Sequence, residues 1–285
     1  MAERQILEAV NQDDRQRPLE SSAGDQLSDL SDGSWLSEIT VNHGPADRLG
    51  RFFLKADEAL QARGITLSFG TFEELVATNA ANTDTWHPLI PLFDPKNGPL
   101  PPDKAFCLLG RNDEGDVVAT QAARLYEWPN TSFFNEAESL RLFYADPARF
   151  KQANETCVVT APSTKFVSGN VVFSGGGWYR RDYRKLSLSV ILPRISRALA
   201  YARWNSDYTI SIMAEKVIKG GMAERCGYTN VDWDLVWTNS PVGANVRCGF
   251  VWMERQQLLK DLAETLARLD DPGPQVDRRV NERRA

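Results

Sequence analysis

Apolar residues recur at helical spacing in three stretches of the chain. The first stretch begins near Pro45 and ends before Gly64, and its apolar positions are Leu49, Phe52, Phe53, Ala56 and Leu60. Intervals of three and four residues place such side chains on one face of a helix. The same spacing predicts a long helix over 188–202 and a last helix over 254–269. The leucines of the last helix fit packing on the core, with the seam of a homodimer as the alternative.

Short apolar runs and period-two alternation predict the strands. Two runs flank the turn NDEG and predict a β-hairpin over 104–128. Trp233 and Trp237 alternate with acidic residues on one strand, so both are predicted to lie in the core. Thr71 and Glu74 have capping-box spacing and predict a helix start. Further strands are predicted over 65–69, 170–179, 208–213, 231–237 and 246–253, with a short helix over 83–93 and a weak one over 215–226.

This mixed order of elements predicts an α+β fold with a partly antiparallel sheet flanked by helices. Residues 1–40 are acidic and poor in aromatics, so they are predicted to be a flexible segment. A single domain follows over 41–270, with an insertion around 129–168, and 271–285 is predicted to be a flexible tail.

Composition and charge are typical of a globular protein and argue against a nucleic-acid-binding protein. Hydrophobic residues make up 42% of the 285 residues and charged residues 25%, as in ordinary globular proteins. The net charge is −5, and residues 1–40 alone carry −6, so the rest of the chain is nearly neutral. A nucleic-acid binder usually has a basic excess, which argues against that class. No apolar run is long enough to span a membrane and no secretory signal is visible, so a cytoplasmic location is expected.

The cysteines and histidines exclude two kinds of site. Cys107, Cys157, Cys226 and Cys248 form no C-x-x-C pair, and the only histidines are His43 and His87. No local cluster supplies the ligands of a zinc site, so no metal is expected. No G-x-S-x-G motif accompanies the histidines, which argues against a serine hydrolase. The cysteines are predicted to be reduced thiols in the core.

The stretch GGGWYRRDYRKLSLS (175–189) concentrates glycines, cations and serines where the longest helix begins. Free backbone amides and the helix dipole make such a position suitable for an anion. Arg184 and Lys185 add positive charge before the first turn, and a solvated turn is the alternative. Ser187 and Ser189 are predicted to be helix caps. The glycines predict a bulge or a close approach of a ligand to the backbone.

DYRKLSLSVIL resembles the signature of the GNAT N-acyltransferase superfamily. In that signature, D-Y-R-G-R-G-L-G leads into an apolar helix, and the core Q/R-x-x-G-x-G/A holds the pyrophosphate of acyl-coenzyme A on backbone amides. The run GGWY (176–179) stands where the family has its central bulged strand. MAERCGYTNVD (222–232) is similar to the family's later helix and turn. The resemblance covers about two thirds of the chain, and 1–64, 129–168 and the last helix lie outside it.

The resemblance implies a V-shaped opening between two central strands and transfer of an acyl group, acetyl in the first place, to an amine of a small molecule or peptide. It implies no metal and no catalytic residue that can be named. Trp86 and Tyr126 are candidates for binding the acceptor. The residues implied to bind acyl-coenzyme A are Gly177, Trp178, Tyr179, Arg184, Lys185, Leu186, Ser187, Leu188 and Ser189.

The sequence also departs from the family. Ser187 and Ser189 replace both glycines of the pyrophosphate loop. The family's frequent tyrosine acid corresponds to Ala223 and its asparagine partner to Lys216, and the strand over 171–179 has no glutamate. Two alternatives therefore stay open: a catalytically silent relative that binds coenzyme A or a protein, and an interaction protein without a ligand.

Overall fold

Eight strands and eight helices make up residues 34–271, the part of the chain that this computed structural model describes. The strands are β1 (Thr66–Gly70), β2 (Ala105–Arg111), β3 (Val117–Trp128), β4 (Thr156–Val159), β5 (Gly169–Tyr179), β6 (Tyr208–Ala214), β7 (Asn230–Ser240) and β8 (Gly243–Glu254). The helices are α1 (Ala46–Gln61), α2 (Phe72–Ala81), α3 (Phe133–Glu138), α4 (Pro147–Phe150), α5 (Leu188–Trp204), α6 (Glu215–Lys219), α7 (Met222–Arg225) and α8 (Arg255–Asp270).

The strands form one sheet in the order β1-β2-β3-β5-β6-β8-β7-β4. Every neighbouring pair is antiparallel except β5 and β6, which are parallel. The α+β class and the mixed, largely antiparallel sheet are therefore confirmed. The parallel pair is joined by α5, because parallel neighbours need a long crossover connection.

Alternate residues of β2, β5 and β8 enter two separate cores on the two faces of the sheet. Phe106 and Leu108 of β2 lie in the core that also contains the apolar faces of α1, α5 and α8. Cys107 and Leu109 lie in the other, together with the segment between β3 and β5. The leucines of α8 pack in the first core, as predicted. None of the helices within 34–271 has the length and apolarity needed to cross a bilayer.

The chain joins the core earlier than the sequence indicates. Trp35 begins a 3₁₀ turn over Trp35–Glu38, is 1% exposed and donates its indole N–H to Asp57 at 2.6 Å. Residues 35–40 are thus part of the fold, because one large aromatic side chain offsets an otherwise polar segment. Most of the predicted flexible segment, 1–33, and the tail beyond 271 lie outside the described residues.

Three local predictions are wrong. Ser187 precedes α5 in a left-handed conformation (φ 59°) and makes no side-chain cap hydrogen bond. The helix predicted over 83–93 is only a 3₁₀ turn, Pro91–Phe93, because proline removes a backbone donor. Trp233 is half-buried although Trp237 is buried, since a register shift between Asp232 and Leu235 interrupts the alternation of β7.

The segment over 129–168 is built into the sheet. Its strand β4 pairs with β7 at the sheet edge. Glu155, just before β4, is 1% exposed and accepts hydrogen bonds from the Tyr144 hydroxyl at 3.0 Å and the Trp237 indole at 2.8 Å. These bonds satisfy the buried carboxylate and fasten the segment to β7.

Candidate ligand-binding cleft

The parallel strands β5 and β6 are paired only at their first halves. Val171, Val172 and Phe173 pair with Tyr208, Thr209 and Ile210, and no later residues of the two strands pair with each other. Each strand stays paired on its outer side, β5 with β3 as far as Tyr179 and β6 with β8 as far as Ala214. The sheet therefore opens between them into a V. This is the V-shaped opening that the resemblance to the GNAT superfamily implies.

A bulge in β5 lies beside this opening. Thr120 pairs with Trp178 and Ala122 with Gly175, so Gly176 and Gly177 together oppose Gln121. Gly176 has a φ of +63°, which glycine adopts without a steric cost. A Cβ there would approach the Ala122 methyl group to 3.2 Å. The predicted bulge is thus confirmed, and the glycine is required by both its conformation and its surroundings.

The opening forms a cleft of about 740 Å³. Its walls are the unpaired ends of β5 and β6, the loop over 85–90, the start of α5 and α7. Four of its described lining residues are cationic and none is acidic: Arg184, Lys185, Arg197 and Arg225. The cleft therefore favours an anionic ligand.

The start of α5 faces the cleft at its mouth. Ser187 and Ser189 line the cleft, followed by Val190 and Pro193 on the same face of the helix. The first-turn amides of a helix have no intrahelical acceptor. Arg63 donates its Nε to the Leu186 carbonyl at 2.7 Å, which fixes the backbone just before this turn. The start of α5 is therefore open to the cleft and not covered by packed side chains.

The two predicted phosphate-binding cations differ in their contacts. Arg184 donates its Nε to the Tyr179 carbonyl at 3.0 Å and its Nη2 to the Thr85 carbonyl at 3.1 Å. It thereby joins the end of β5 to the loop over 85–90. Lys185 is exposed, and its ammonium makes no ion pair with any carboxylate between residues 34 and 271. Arg184 therefore shapes the mouth, and Lys185 is available to a ligand.

Aromatic side chains build the wall nearest the bulge. Trp178 is 3% exposed, stacks on Trp86 with centroids 5.5 Å apart, and donates its indole N–H to Thr85 at 3.2 Å. Both tryptophans line the cleft, as do Gly177 and Tyr179. Burial raises the pKa of Tyr179 well above its usual value, so its hydroxyl stays protonated.

Tyr126, the other predicted acceptor-binding residue, does not line the cleft. Its ring packs in the second core beside Trp128, and its hydroxyl donates to the Leu142 carbonyl at 2.6 Å. Burial raises its pKa to about 12. Leu188 is likewise buried in the first core, and Leu186 packs against that core, so neither side chain reaches the cleft. Hydrophobic packing explains all three residues without a ligand.

The inner end of the cleft contains residues to which the sequence analysis gave no binding role. Arg197 is completely buried, and its Nε and Nη1 have no hydrogen-bond partner. The Tyr228 hydroxyl is also buried and makes no hydrogen bond of ordinary geometry, although Arg197 and Ser174 lie beside it, and the Arg197 guanidinium lies 4.9 Å from the Tyr228 ring centroid. One sequence signal could have found Arg197. A helix that is apolar on nearly every face is a buried helix, so its arginines are buried with it.

Comparisons with known proteins find similarity among solved structures alone. No family model matches the chain, and no curated protein matches it. Among solved structures, it is similar to the spermidine/spermine N-acetyltransferase SpeG from Vibrio cholerae, with 9% identity, 70% of this chain and 98% of that one covered, and a TM-score of 0.40. It is also similar to the aminoglycoside acetyltransferase AAC(6')-Ib in complex with coenzyme A and kanamycin, with 10% identity, 69% of this chain and 98% of that one covered, and a TM-score of 0.38. A third similar structure is an acetyltransferase of the GNAT family from Streptococcus pneumoniae, with 8% identity, 67% of this chain and 99% of that one covered, and a TM-score of 0.38.

All four thiols are free and buried, including Cys226 in the cleft. Burial raises the pKa of Cys226, and it raises those of Cys107 and Cys248 to about 12. A thiol in this state is a poor nucleophile. No group of three His, Cys, Asp or Glu side chains within 34–271 is arranged to hold a metal ion.

These pKa shifts predict that alkaline conditions destabilise the fold. The unfolded chain loses its thiol protons above about pH 8.5, whereas the folded chain keeps those of Cys107 and Cys248 up to about pH 12. Stability is therefore fully present below about pH 8.5 and decreases as the pH rises through this window. Urea unfolding at pH 7.5 and pH 10 measures the loss, which Cys107→Ala should reduce. Equal or greater stability at pH 10 would contradict the prediction.

Proposed function

We propose that this protein is an acyltransferase that moves an acyl group, acetyl in the first place, from acyl-coenzyme A to an amine. The observation that carries the proposal is the separation of β5 from β6 beyond Phe173 and Ile210. It exposes the bulge at Gly176 and opens a path from there to the start of α5. A long, thin ligand with an anionic end fits a cleft of this shape and charge.

The diphosphate of acyl-coenzyme A would bind at the start of α5. The donors there are the first-turn amides, the Ser187 and Ser189 hydroxyls and the Lys185 ammonium. Serine is small, so its Cβ leaves more room for a phosphate than most side chains do. Ser187 also has the left-handed backbone conformation that glycine adopts most readily, so serine at this position does not prevent it. The departures at 187 and 189 are thus compatible with phosphate binding.

The transfer itself is a direct attack of an amine nitrogen on the thioester carbon. A C–N bond forms, the C–S bond breaks, and the sulfur leaves as a thiolate. Backbone amides beside the bulge would stabilise the negative charge on the carbonyl oxygen. The amine gives up its proton to water, and the thiolate takes one from water, so the exchange balances.

Thermal unfolding with acetyl-coenzyme A tests the proposal. A ligand at 100 times its dissociation constant stabilises the folded state by about 2.7 kcal/mol. We expect this increase for the natural chain and its loss in Ser187→Trp, which fills the mouth. Asn154→Trp is the matched control, because Asn154 is exposed, also has a left-handed backbone (φ 58°) and lies outside the cleft. No stabilisation of the natural chain at millimolar ligand would refute the proposal.

One observation favours a second function, a protein that binds coenzyme A without transferring the acyl group. None of the described cleft-lining residues is a carboxylate, and Ala223, at the family's acid position, is buried and cannot donate a proton. General acid–base groups usually contribute about 10²–10⁴ in rate. Release of free thiol from acetyl-coenzyme A with a panel of amines separates the two functions. Stabilisation without thiol release favours the silent one.

A further inference from the structure

The guanidinium of Arg197 is a buried cation with free hydrogen-bond donors. Its Nη2 donates to the Cys226 carbonyl and lies 3.4 Å from Asp261 Oδ2. Its Nε and Nη1 have no partner, although the side chain is 0% exposed. Leaving a buried donor unpaired is costly, and more so for a charged group. Packing alone therefore gives no reason for an arginine at this position.

The charges around Arg197 do not balance. Arg194 is 4% exposed and donates to Asp261 Oδ1 through both its Nε and its Nη2, at 3.1 and 2.8 Å. Asp261 is the one carboxylate among the described residues that pairs with either arginine. Two buried guanidinium groups therefore share one negative charge, and a net positive charge remains.

The unpaired donors converge at the inner end of the cleft. Arg197 and Tyr228 both line it, and the Tyr228 hydroxyl lies beside Arg197 and Ser174 without a hydrogen bond of ordinary geometry. Ser174 also accepts a hydrogen bond from Gln121 Nε2 at 3.2 Å. A cluster of donors with net positive charge matches a planar group with two acceptor oxygens. A carboxylate has this geometry and binds an arginine fork through two parallel hydrogen bonds.

This cluster is separate from the phosphate-binding mouth. Ser187 and Arg197 are ten residues apart along α5, which corresponds to about 15 Å at the usual helical rise. A diphosphate at the mouth does not span that distance. An anion bound at Arg197 would therefore be a different group from the diphosphate, in the same cleft as the bulge at Gly176.

We propose that the inner end of the cleft binds a carboxylate of a substrate through Arg197 and Tyr228. The inference rests on the proposed function in that it assigns the substrate class of the same cleft. The carboxylate belongs either to the acyl group, as in the coenzyme A thioester of a dicarboxylic acid, or to the acceptor, as in an amino acid. Both sources offer the same group to Arg197, and the experiment distinguishes them.

Calorimetric titration of the full chain with paired ligands tests the proposal. In the acyl arm, succinyl-coenzyme A binds at least about tenfold more tightly than acetyl-coenzyme A, because a charged hydrogen-bonded pair is gained. In the acceptor arm, L-alanine binds at least about tenfold more tightly than L-alaninamide. Preference for the carboxylate in either arm supports the proposal and names its source. No preference in both arms overturns it.

Substitutions at Arg197 and Tyr228 test whether these residues cause the preference for a carboxylate ligand. Arg197→Met keeps the length of the side chain and is expected to abolish the preference, while Tyr228→Phe reduces it. Arg197→Met is expected to fold, because Asp261 keeps its two shorter hydrogen bonds from Arg194, at 3.1 and 2.8 Å. Arg197→Lys keeps the positive charge but has no two parallel N–H donors, so it still loses most of the preference for the carboxylate ligand.

The control is Arg247→Met, because Arg247 is an exposed arginine outside the cleft. This variant leaves the preference for the carboxylate ligand unchanged. A preference that survives Arg197→Met or Arg197→Lys refutes the assignment.

A further titration separates the failure of this inference from failure of the proposed function. Glutarate, a dicarboxylate without coenzyme A, binds the natural chain and not Arg197→Met. If glutarate binds in this way while coenzyme A does not, the inner site is upheld and the acyltransferase proposal fails. If coenzyme A binds and no carboxylate is preferred, the acyltransferase proposal is upheld and the inner site fails.

Discussion

Replacing Asp261 by Asn is expected to lower the free energy of unfolding by about 3–5 kcal/mol, because breaking a buried charge pair leaves uncompensated charge. Asp261 on α8 is the carboxylate opposite Arg194 and Arg197 of α5. Asparagine has nearly the same shape, so packing is kept while the negative charge is lost. Urea unfolding at pH 7 measures the effect.

Glu264→Gln is the control on the same helix. Its carboxylate pairs with Lys260 at 3.9 Å, and both side chains are exposed. Exposed pairs contribute about 0–1 kcal/mol, so this change is expected to be nearly silent. Combining Asp261→Asn with Arg197→Met should recover part of the lost free energy of unfolding, because the double variant no longer contains the Arg197 charge that Asp261 partly neutralised. A loss of under 1 kcal/mol for Asp261→Asn would show that the charges are not coupled as described.

Replacing Gly176 by Ala is expected to slow acyl transfer by up to about 10²-fold, the effect that a displacement of about 1 Å has in a catalytic site. Gly176 has a φ of +63°, and its new methyl group would approach Ala122 Cβ to 3.2 Å. The Ala122 methyl group or the bulge must give by a few tenths of an ångström, and a movement of the bulge displaces the amides proposed to face the thioester oxygen. Stability should fall by about 1–2 kcal/mol as well, from the left-handed conformation alone.

Gly50→Ala is the matched control for this substitution. Gly50 lies within α1, and an added Cβ meets no atom within 4 Å. Alanine favours a helix over glycine by about 1 kcal/mol, so this variant should be slightly more stable and equally active. Steady-state thiol release together with urea unfolding distinguishes the two variants. A folded Gly176→Ala protein with the natural transfer rate would exclude a catalytic role for the bulge.

Local patterns predicted most elements, since helices and strands depend mainly on neighbouring residues. Thr71 was read as a helix start, and its hydroxyl accepts from the Glu74 amide at 3.1 Å. The segment over 129–168 was harder to predict. Leu140 has a φ of +63°, and the chain turns there instead of continuing the helix. That conformation depends on tertiary contacts, which no local pattern contains.

The candidate site was predicted in part. The start of α5 was singled out by its glycines and cations, whereas Trp86 and Trp178 were candidates through the resemblance, and all of these residues line the cleft. Tyr126 was misplaced, because the face of a strand to which a residue points depends on its register. Arg197 was given no binding role, since the local pattern can show that this helix is buried but not which distant groups an arginine on it contacts.

The sequence by itself determined the elements and the concentration of charge and glycine before α5, because periodicity and turn chemistry act over a few residues. The tertiary structure alone decided where β5 separates from β6, and that Asp261, 64 residues after Arg197, pairs with two arginines. Both features arise from contacts between distant parts of the chain. A cleft and its net charge are sums over such contacts, so they exist only once the chain has folded.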